Sequence, residues 1–419
     1  MQKSLKVCFV GLTHLGINYA VASAIKGFNV VCYDNNKELI SSLKKRKIPF
    51  FEENLEKNLI KKFKNLEFTT SIKDISKCDL VFISQDVPTD SFGKSDLLVI
   101  KKLINKVTSY IKKSCNLVIL CQVPPGFSRS VNWPKNQLFY QVETLIFSKA
   151  QARALSPERI IVGKNNKKLN KKYLFYLKQF KCPILEMSYE SAELAKISIN
   201  IFLISSVTST NILSEICENI GAKWGDIAKA LKLDKRIGNF AYLKPGLGIS
   251  GGNLERDLET FTRHLKFNNI YEKYSSNIKK ISQHRKNWIY IKFKEILSKN
   301  KSIKQVAILG LAYKEGTNSI KNSPGIFFIK KILSNHEVKL NIFDPVIKKI
   351  YKHQKIKICK NVDEAMKKSQ LVVVSTPWIH FTKIRINKYP NIKAIIDPYN
   401  HLNSTTNKIN NLKHITMGV

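Results

Sequence analysis

Acidic residues are scarce in this chain. It carries 71 lysines and arginines against 31 aspartates and glutamates, a formal net charge of +40 at pH 7. A basic excess of this size can indicate binding to nucleic acid or to an anionic membrane surface. The lysines are spread along the whole chain, however, and neither an RNA-binding aromatic motif nor a zinc finger is visible. We therefore expect a solvated basic surface that can attract an anionic substrate, and no nucleic-acid or membrane partner.

Two further absences bear on the compartment. None of the eight cysteines forms a CxxC pair, and most lie in apolar runs, which favours buried, reduced thiols over a disulfide framework or a metal site. No run of about 18 apolar residues and no signal-like N-terminus are present, so we expect no membrane span and a cytoplasmic protein. With 419 residues, of which 43% are hydrophobic, the chain is long enough for two or three globular domains.

Short apolar runs separated by helical patterns organise the chain. The first part, to about residue 185, contains apolar runs that predict buried parallel strands at 5–11, 29–35, 79–85, 116–122 and 159–163. Helical periodicity then continues from Glu190 to about Leu231, and a second alternation of strands and helices begins at residue 304. We predict an α/β protein with two Rossmann-like doubly wound domains, joined by a long central helix and a helical middle domain. The predicted domains are residues 1–188, 189–298 and 299–419.

A glycine turn joins the first predicted strand to the first helix. Its residues are Gly11, Leu12, Thr13, His14, Leu15 and Gly16. A dinucleotide-binding turn has three glycines, for the tight turn, the approach of the pyrophosphate and helix packing, and here Thr13 replaces the second. Asp34, at the tip of the second strand, can bind ribose hydroxyls and favours NAD over NADP. These residues predict NAD binding, with a flavodoxin-like or other α/β turn as the alternative.

Two polar elements follow in the helical middle. Lys196 and Asn200 are four residues apart and share one helix face, where Glu193 could pair with Lys196; a solvated helix edge is the alternative. The loop after Pro245 contains the glycines Gly246, Gly248, Gly251 and Gly252. Such density lets the chain wrap closely around a ligand, whereas a flexible linker is the alternative. Asp257 follows this loop, either as a helix cap or as a buried acid.

Four longer stretches carry a recognisable family pattern. They are SPERIIVG (156–163), ESAELAKISINIFL (190–203), KRIGNFAYLKPGLGISGGNLERD (235–257) and LGLAYKEGTNSIKNSP (309–324). PTDSFGKSDL (88–97) and VPPG (123–126) fit the same pattern. In letters, order and spacing these segments resemble the UDP-glucose/GDP-mannose dehydrogenase family. The resemblance extends from Gly11 to Asn400.

The resemblance implies a function and a set of catalytic residues. Members of the family oxidise the C6 alcohol of a nucleotide sugar to a carboxylate with two NAD molecules in turn, for polysaccharide biosynthesis. An N-terminal Rossmann domain binds NAD, a C-terminal Rossmann-like domain binds the nucleotide sugar, and the central helix builds a homodimer. Lys196, Asn200 and Asp257 match the residues that carry the first oxidation with an ordered water. The second oxidation uses a cysteine thiolate to capture the aldehyde, and Glu143 matches the glutamate that helps water to hydrolyse the thioester.

Asn253 stands at the position of that cysteine. The family loop reads glycine, glycine, serine, cysteine, three further residues and aspartate. Alignment on Asp257 places Ser250 and Gly251 at the two glycines and Gly252 at the serine. Asparagine offers no comparable nucleophile, and the loop contains no other cysteine.

The cofactor side also departs from the family pattern. Phe147 replaces the second of two family glutamates, and Val87 matches a threonine that contacts NAD. The resemblance assigns to the cofactor Gly11, Thr13, His14, Leu15, Gly16, Asp34, Gln122 (a family threonine) and Lys321 (a family arginine). It assigns to the nucleotide sugar Arg236, Gly238, Tyr242, Leu243, Gly248 and Gly251.

Three interpretations remain open at this point. The chain could catalyse an NAD-dependent oxidation of a nucleotide sugar, most simply a UDP-hexose at C6, that stops at a carbonyl or finishes by direct hydration. It could be a full UDP-glucose 6-dehydrogenase-type enzyme that forms a uronic acid without a thiol. It could also bind a nucleotide sugar without turnover. The number of NADH formed per sugar distinguishes the three.

Overall fold

The computed structural model describes residues 5–90, 95–165, 168–402 and 412–419. The chain forms two compact units, Met1–Ile199 and Asn200–Val419, and helix α8 (Tyr189–Ile220) begins in the first and continues into the second. Each unit contains a sheet with mainly parallel strands, and helices fill the middle of the chain. The predicted α/β class with two doubly wound sheets and a helical middle region is confirmed.

The first unit is built on one large sheet. Its strands are β1 (Lys6–Val10), β2 (Asn29–Tyr33), β3 (Leu66–Thr69), β4 (Leu80–Ile83), β5 (Asn116–Ile119), β6 (Leu138–Gln141), β7 (Ile160–Lys164) and β8 (Ile184–Ser188). The order across the sheet is β3-β2-β1-β4-β5-β6-β7-β8, with only the β6–β7 pair antiparallel among these strands. The order reverses between β1 and β4, where α/β sheets open a crevice at the carboxyl ends of their strands.

Apolar cores cover both faces of this sheet. The helices before α8 are α1 (His14–Ile25), α2 (Lys37–Lys44), α3 (Leu55–Lys62), α4 (Leu97–Thr108), α5 (Phe127–Ser130), α6 (Ala150–Leu155) and α7 (Lys171–Lys178). In β1, Val7 and Phe9 face one core, and Cys8 and Val10 face the other. Burial on both sides explains why β1 is a continuous apolar run, since each such side chain contributes about 1.5–3 kcal/mol.

The second unit combines helices with a smaller parallel sheet. After α8 come α9 (Trp224–Leu233), α10 (Asn253–His264), α11 (Asn269–Lys286), α12 (Trp288–Lys299), α13 (Pro324–Asn335) and α14 (Val362–Met366). The strands are β9 (Gln305–Leu309), β10 (Lys339–Phe343), β11 (Ile356–Ile358), β12 (Leu371–Val374), β13 (Ala394–Ile396) and β14 (Lys413–Ile415). Their order is β11-β10-β9-β12-β13-β14, so the strand sequence reverses between β9 and β12.

The turn after the first strand has the same construction in both units. Gly11 has φ +90°, and the Leu12 N–H donates to Asp34 Oδ2 at 2.7 Å. In the second sheet Gly310 has φ +98°, and the Leu311 N–H donates to Asp344 Oδ2 at 2.6 Å.

The two aspartates nevertheless differ in accessibility. Asp344 is buried and also accepts from the backbone N–H groups of Ala312, Val346 and Ile347 and from the Trp378 indole, whereas Asp34 is partly exposed. Of these two carboxylates, Asp34 is therefore the better placed to bind a ribose.

Helix α8 is long and apolar enough to cross a membrane by length and composition alone. Core helices of soluble proteins meet the same criterion. Its first two turns contain Glu193 and Lys196, both buried in contacts with the first unit. These contacts place the first two turns of the helix in the interior of the first unit.

Candidate active site

The glycine turn of the first unit forms a cradle that side chains would fill. A Cβ on Gly11 would lie 2.6 Å from the Gln85 backbone, and a Cβ on Gly16 would lie 2.1 Å from the Gly11 carbonyl oxygen. The Ser84 hydroxyl closes the turn by donating to the Gly11 carbonyl oxygen at 2.9 Å. Helix α1 begins at His14, directly after this turn and next to the crevice between β1 and β4. The free backbone N–H groups of a helix N-terminus favour binding of a phosphate. These features fit a dinucleotide.

Thr13 replaces the second glycine of the dinucleotide pattern. Its φ of −74° is accessible to any residue, and its hydroxyl donates to the Ser84 carbonyl oxygen at 3.2 Å. The next two residues open α1, with Leu15 buried in the core and His14 partly exposed. The turn thus keeps its geometry with a larger side chain at the second position.

Replacement of Gly16 by alanine is expected to disrupt this turn. The new methyl group would overlap the Gly11 carbonyl oxygen and approach Ser84 Oγ to 2.8 Å, an overpacking worth about 1–3 kcal/mol or more. Thermal unfolding and dinucleotide titration should show lower stability and weakened binding. Gly225→Ala is the control, since a Cβ there meets nothing within 4 Å. Equal behaviour of the two variants would show that the turn tolerates a side chain.

Two positions that match NAD-contacting threonines of the family lie after strands at the same edge of the sheet. Val87 follows β4 and is buried, while Gln122 follows β5 and is partly buried. The segment 88–97 also follows β4, but its residues 91–94 lie outside the described part of the chain. Because β4 and β5 are parallel neighbours, Val87 and Gln122 emerge at one edge of the sheet.

Lys196 and Glu143 form a largely buried ion pair. Lys196 Nζ lies 2.8 Å from Glu143 Oε1, and the two side chains are only 10% and 13% exposed. Glu193 is not the partner of this lysine, because its carboxylate accepts from the backbone N–H groups of Gly126 (2.6 Å) and Ser128 (2.8 Å). Burial raises the pKa of the Glu193 carboxyl group. The structure therefore joins two of the predicted catalytic residues that lie 53 positions apart in the sequence.

In the second unit Asn200 and Asp257 form a hydrogen-bonded pair. The Asn200 amide nitrogen donates to Asp257 Oδ2, and both residues are buried. Arg256 Nε lies 3.7 Å from Asp257 Oδ1. Asp257 is thus a buried acid in the second turn of α10, and the helix-cap alternative is excluded for it. These two contacts hold the Asp257 carboxylate in one orientation.

Asn253 is the first residue of α10 and is exposed. Its Oδ1 accepts from Arg256 Nη2 at 3.4 Å. Because a guanidinium group has only donors, the oxygen of the amide faces Arg256 and the NH₂ group faces away from it. Arg256 therefore contacts both Asp257 and Asn253, and Asn253 stands where the family resemblance implies a thiol.

The glycine-rich loop before α10 is packed against its surroundings. A Cβ on Gly248 would lie 2.4 Å from the Ser282 carbonyl oxygen, and a Cβ on Gly251 would lie 2.6 Å from the Tyr313 ring. Both glycines have positive φ, +76° and +85°. Burial raises the pKa of Tyr313 to about 12, so this phenol stays neutral under the loop. Close packing accounts for these two glycines, and the flexible-linker alternative is wrong for this part of the loop.

Lys321 lies beside the same loop. A Cβ on Gly252 would lie 3.6 Å from Lys321 Cδ and 3.8 Å from its Nζ. The adjacent Asn322 donates from its amide to Glu255, which also pairs with Lys286 at 3.0 Å. This network fixes the Lys321 segment next to the first turn of α10.

The four residues assigned to the nucleotide sugar outside the glycine-rich loop fall into two groups. Tyr242 and Leu243 are held by their carbonyl oxygens, which accept from the Thr210 hydroxyl (3.1 Å) and the Trp224 indole (2.8 Å). Arg236 and Gly238 lie in the preceding turn, where Arg236 is exposed and pairs with Asp234 at 2.6 Å. Gly238 has φ +83°, and a Cβ added there would meet nothing within 4 Å. The structure does not join Arg236 to the Asn200–Asp257 pair.

Two functional candidates were missed in the sequence. Arg256 lies three residues after Asn253 and next to Asp257, so helical spacing could have indicated it. No sequence pattern indicates Glu52. It is 38 positions from His14, and the folded chain brings the two side chains together. Among the described residues, no group of three or more His, Cys, Asp or Glu side chains is arranged to hold a metal ion.

Comparison with known proteins shows the family of this chain. Models of the UDP-glucose/GDP-mannose dehydrogenase family match residues 5–180 (NAD binding domain), 190–284 (central domain) and 307–404 (UDP binding domain). A UDP-glucose 6-dehydrogenase from Rickettsia conorii is 29% identical over 433 residues, covering 99% of both chains.

Solved structures share the fold. A UDP-glucose dehydrogenase from Pyrobaculum islandicum has a TM-score of 0.85 at 20% identity, with 98% of each chain covered. A UDP-D-ManNAc dehydrogenase from Pyrococcus horikoshii has a TM-score of 0.85 at 19% identity, with 99% of each chain covered. The chain therefore belongs to the UDP-glucose/GDP-mannose dehydrogenase family and is an NAD-dependent nucleotide-sugar dehydrogenase.

Proposed function

We propose that this chain oxidises the C6 alcohol of a UDP-hexose by a single two-electron step and releases a carbonyl product. The buried Asn200–Asp257 pair, next to an asparagine where the family resemblance implies a cysteine, carries this proposal. The match of residues 307–404 to a UDP binding domain supports a UDP-linked substrate.

The proposed step removes one proton and one hydride from the alcohol. Asp257, through an ordered water, accepts the proton of the C6 hydroxyl group, and Asn200 holds the Asp257 carboxylate in place. Lys196 stabilises the negative charge that develops on the C6 oxygen. When bound, NAD⁺ supplies the hydride acceptor. The balance is alcohol plus NAD⁺ to aldehyde plus NADH and a proton.

The residue that would form the covalent intermediate of a second oxidation is missing from this chain. The Asn253 amide is not a nucleophile of the strength of a thiolate, so no thiohemiacetal or thioester can form at this position. Glu143 then has no thioester to hydrolyse. Its ion pair with Lys196 supports a different role, in which Glu143 orients the ammonium group for the first step.

The binding residues are proposed on the same basis. NAD is assigned to Gly11, Thr13, His14, Leu15, Gly16, Asp34, Gln122 and Lys321. The nucleotide sugar is assigned to Arg236, Gly238, Tyr242, Leu243, Gly248 and Gly251. We further propose domains at 1–188, 189–298 and 299–419, a homodimer built on the central helix, and a cytoplasmic location.

The yield of NADH per mole of sugar tests this function. The purified chain is incubated with NAD⁺ and UDP-glucose, UDP-N-acetyl sugars or GDP-mannose, with a hydrazine present to trap carbonyl groups. One NADH with a trapped carbonyl on a UDP-hexose is the expected result. Two NADH with a uronic acid would indicate a full dehydrogenase that needs no thiol. Tight sugar binding without NADH would indicate a binding protein and overturn the proposal.

A further inference from the structure

The segment after β6 lies on the nicotinamide side of the cofactor crevice. Asp34 follows β2 and is suited to the adenosine ribose, and the N-terminus of α1 is suited to the pyrophosphate. A dinucleotide held by these groups would extend from β2 across β1 toward β4, β5 and β6, which follow in the sheet order. The chain that leaves β6 at Gln141 is therefore on the side where the nicotinamide half would lie.

This segment is bound to the glycine turn through three side chains. The Phe147 ring packs on the His14 ring with centroids 4.3 Å apart and planes 32° apart. His14 Nε2 lies 2.8 Å from Glu52 Oε2. Glu52, whose side chain is fully buried, also accepts from the backbone N–H groups of Ser148 (3.1 Å) and Ala150 (2.8 Å). Glu52 thus fixes both His14 and the backbone that carries Phe147.

The backbone next to Phe147 adopts an unfavourable conformation. Ser148 has φ +68°, which is uncommon for residues other than glycine and costs about 1 kcal/mol or more. The contacts with Glu52 hold this conformation. It leaves Phe147 36% exposed. Phe147 is thus a partly exposed aromatic ring on a segment whose backbone is held by Glu52.

We propose that Phe147, stacked on His14, is an aromatic platform for the nicotinamide ring and sets the preference for the oxidised cofactor. The nicotinamide of NAD⁺ is cationic, whereas that of NADH is neutral, and a cation is attracted to an aromatic face. Phe147 therefore strengthens binding of NAD⁺ more than binding of NADH. This inference rests on the proposed NAD site at the turn from Gly11 to Gly16.

The test compares ligands that differ only at the nicotinamide. NAD⁺, NADH and ADP-ribose are titrated into the full chain without sugar, for wild type, Phe147→Leu and Phe147→Tyr. Phe147→Leu should weaken NAD⁺ binding about fivefold, on the scale of one cation–π contact. Binding of NADH should change less than twofold, and binding of ADP-ribose should not change. Phe147→Tyr keeps the aromatic face and should retain the wild-type preference.

Phe51→Leu is the matched control, because Phe51 precedes Glu52 and is 77% exposed. It should alter none of the three affinities. Equal weakening of NAD⁺ and NADH by Phe147→Leu, or no weakening of either, would overturn the platform. Failure of wild type to bind ADP-ribose or NAD⁺ would overturn the cofactor site itself, and the platform with it.

Discussion

Replacing Asp257 by asparagine should lower the rate of NADH formation about 10²–10⁴-fold, the usual contribution of a general base. Asparagine has nearly the same shape and can still accept a hydrogen bond from Asn200, but it cannot take a proton from the substrate. The affinity for the nucleotide sugar should change little, because the expected loss is in kcat. Steady-state kinetics with the sugar that gives NADH in the wild-type chain measure both parameters.

Asp226→Asn controls for the loss of one carboxylate. Asp226 is exposed on α9 and pairs only with the exposed Lys229 among the described ion pairs. Thermal unfolding of Asp257→Asn shows whether the variant is folded, since Arg256 loses a charged neighbour there. A folded Asp257→Asn enzyme with wild-type kcat would remove Asp257 from the mechanism.

Replacing Asn253 by cysteine should raise the yield from one to two NADH per sugar. The new thiol would sit at the exposed first residue of α10, next to Arg256. A helix N-terminus and a guanidinium group both lower the pKa of a thiol, so the nucleophilic thiolate would be populated near neutral pH. It could capture the aldehyde, and the second hydride would then leave from the thiohemiacetal. The alkylation rate and the sugar product check the two parts of this expectation.

Asn269→Cys is the matched control, because Asn269 is the exposed first residue of α11. It adds a thiol at an equivalent helix position and should leave the yield at one NADH. A rapidly alkylated Asn253→Cys enzyme that still forms one NADH would show that the lost cysteine does not explain the incomplete reaction. The block would then lie in capture of the aldehyde or in the second hydride transfer, because both steps precede hydrolysis of a thioester.

The sequence alone predicted the fold and the glycine turn from Gly11 to Gly16. Strands such as β1, with four consecutive buried residues, can be found as apolar runs because both faces of the sheet are covered. Gly11, Gly16 and Asp34 have a fixed order along a strand–turn–helix unit, so local spacing indicates a cofactor turn. The placement of Asn253 at the family cysteine likewise follows from its distance of four residues from Asp257 in the sequence. These features depend on neighbours in sequence, where periodicity and turn chemistry apply.

Only the tertiary structure decided which side chains meet. Glu143 rather than Glu193 pairs with Lys196, although Glu193 is three residues away on the same helix, because Glu193 is directed to the N–H groups of Gly126 and Ser128. The contact of Glu52 with His14 joins residues 38 positions apart. No local pattern encodes such pairs, since they depend on how loops at one sheet edge pack after the strands are assembled. The sequence determined the fold and the kinds of groups available, and the packing selected their partners.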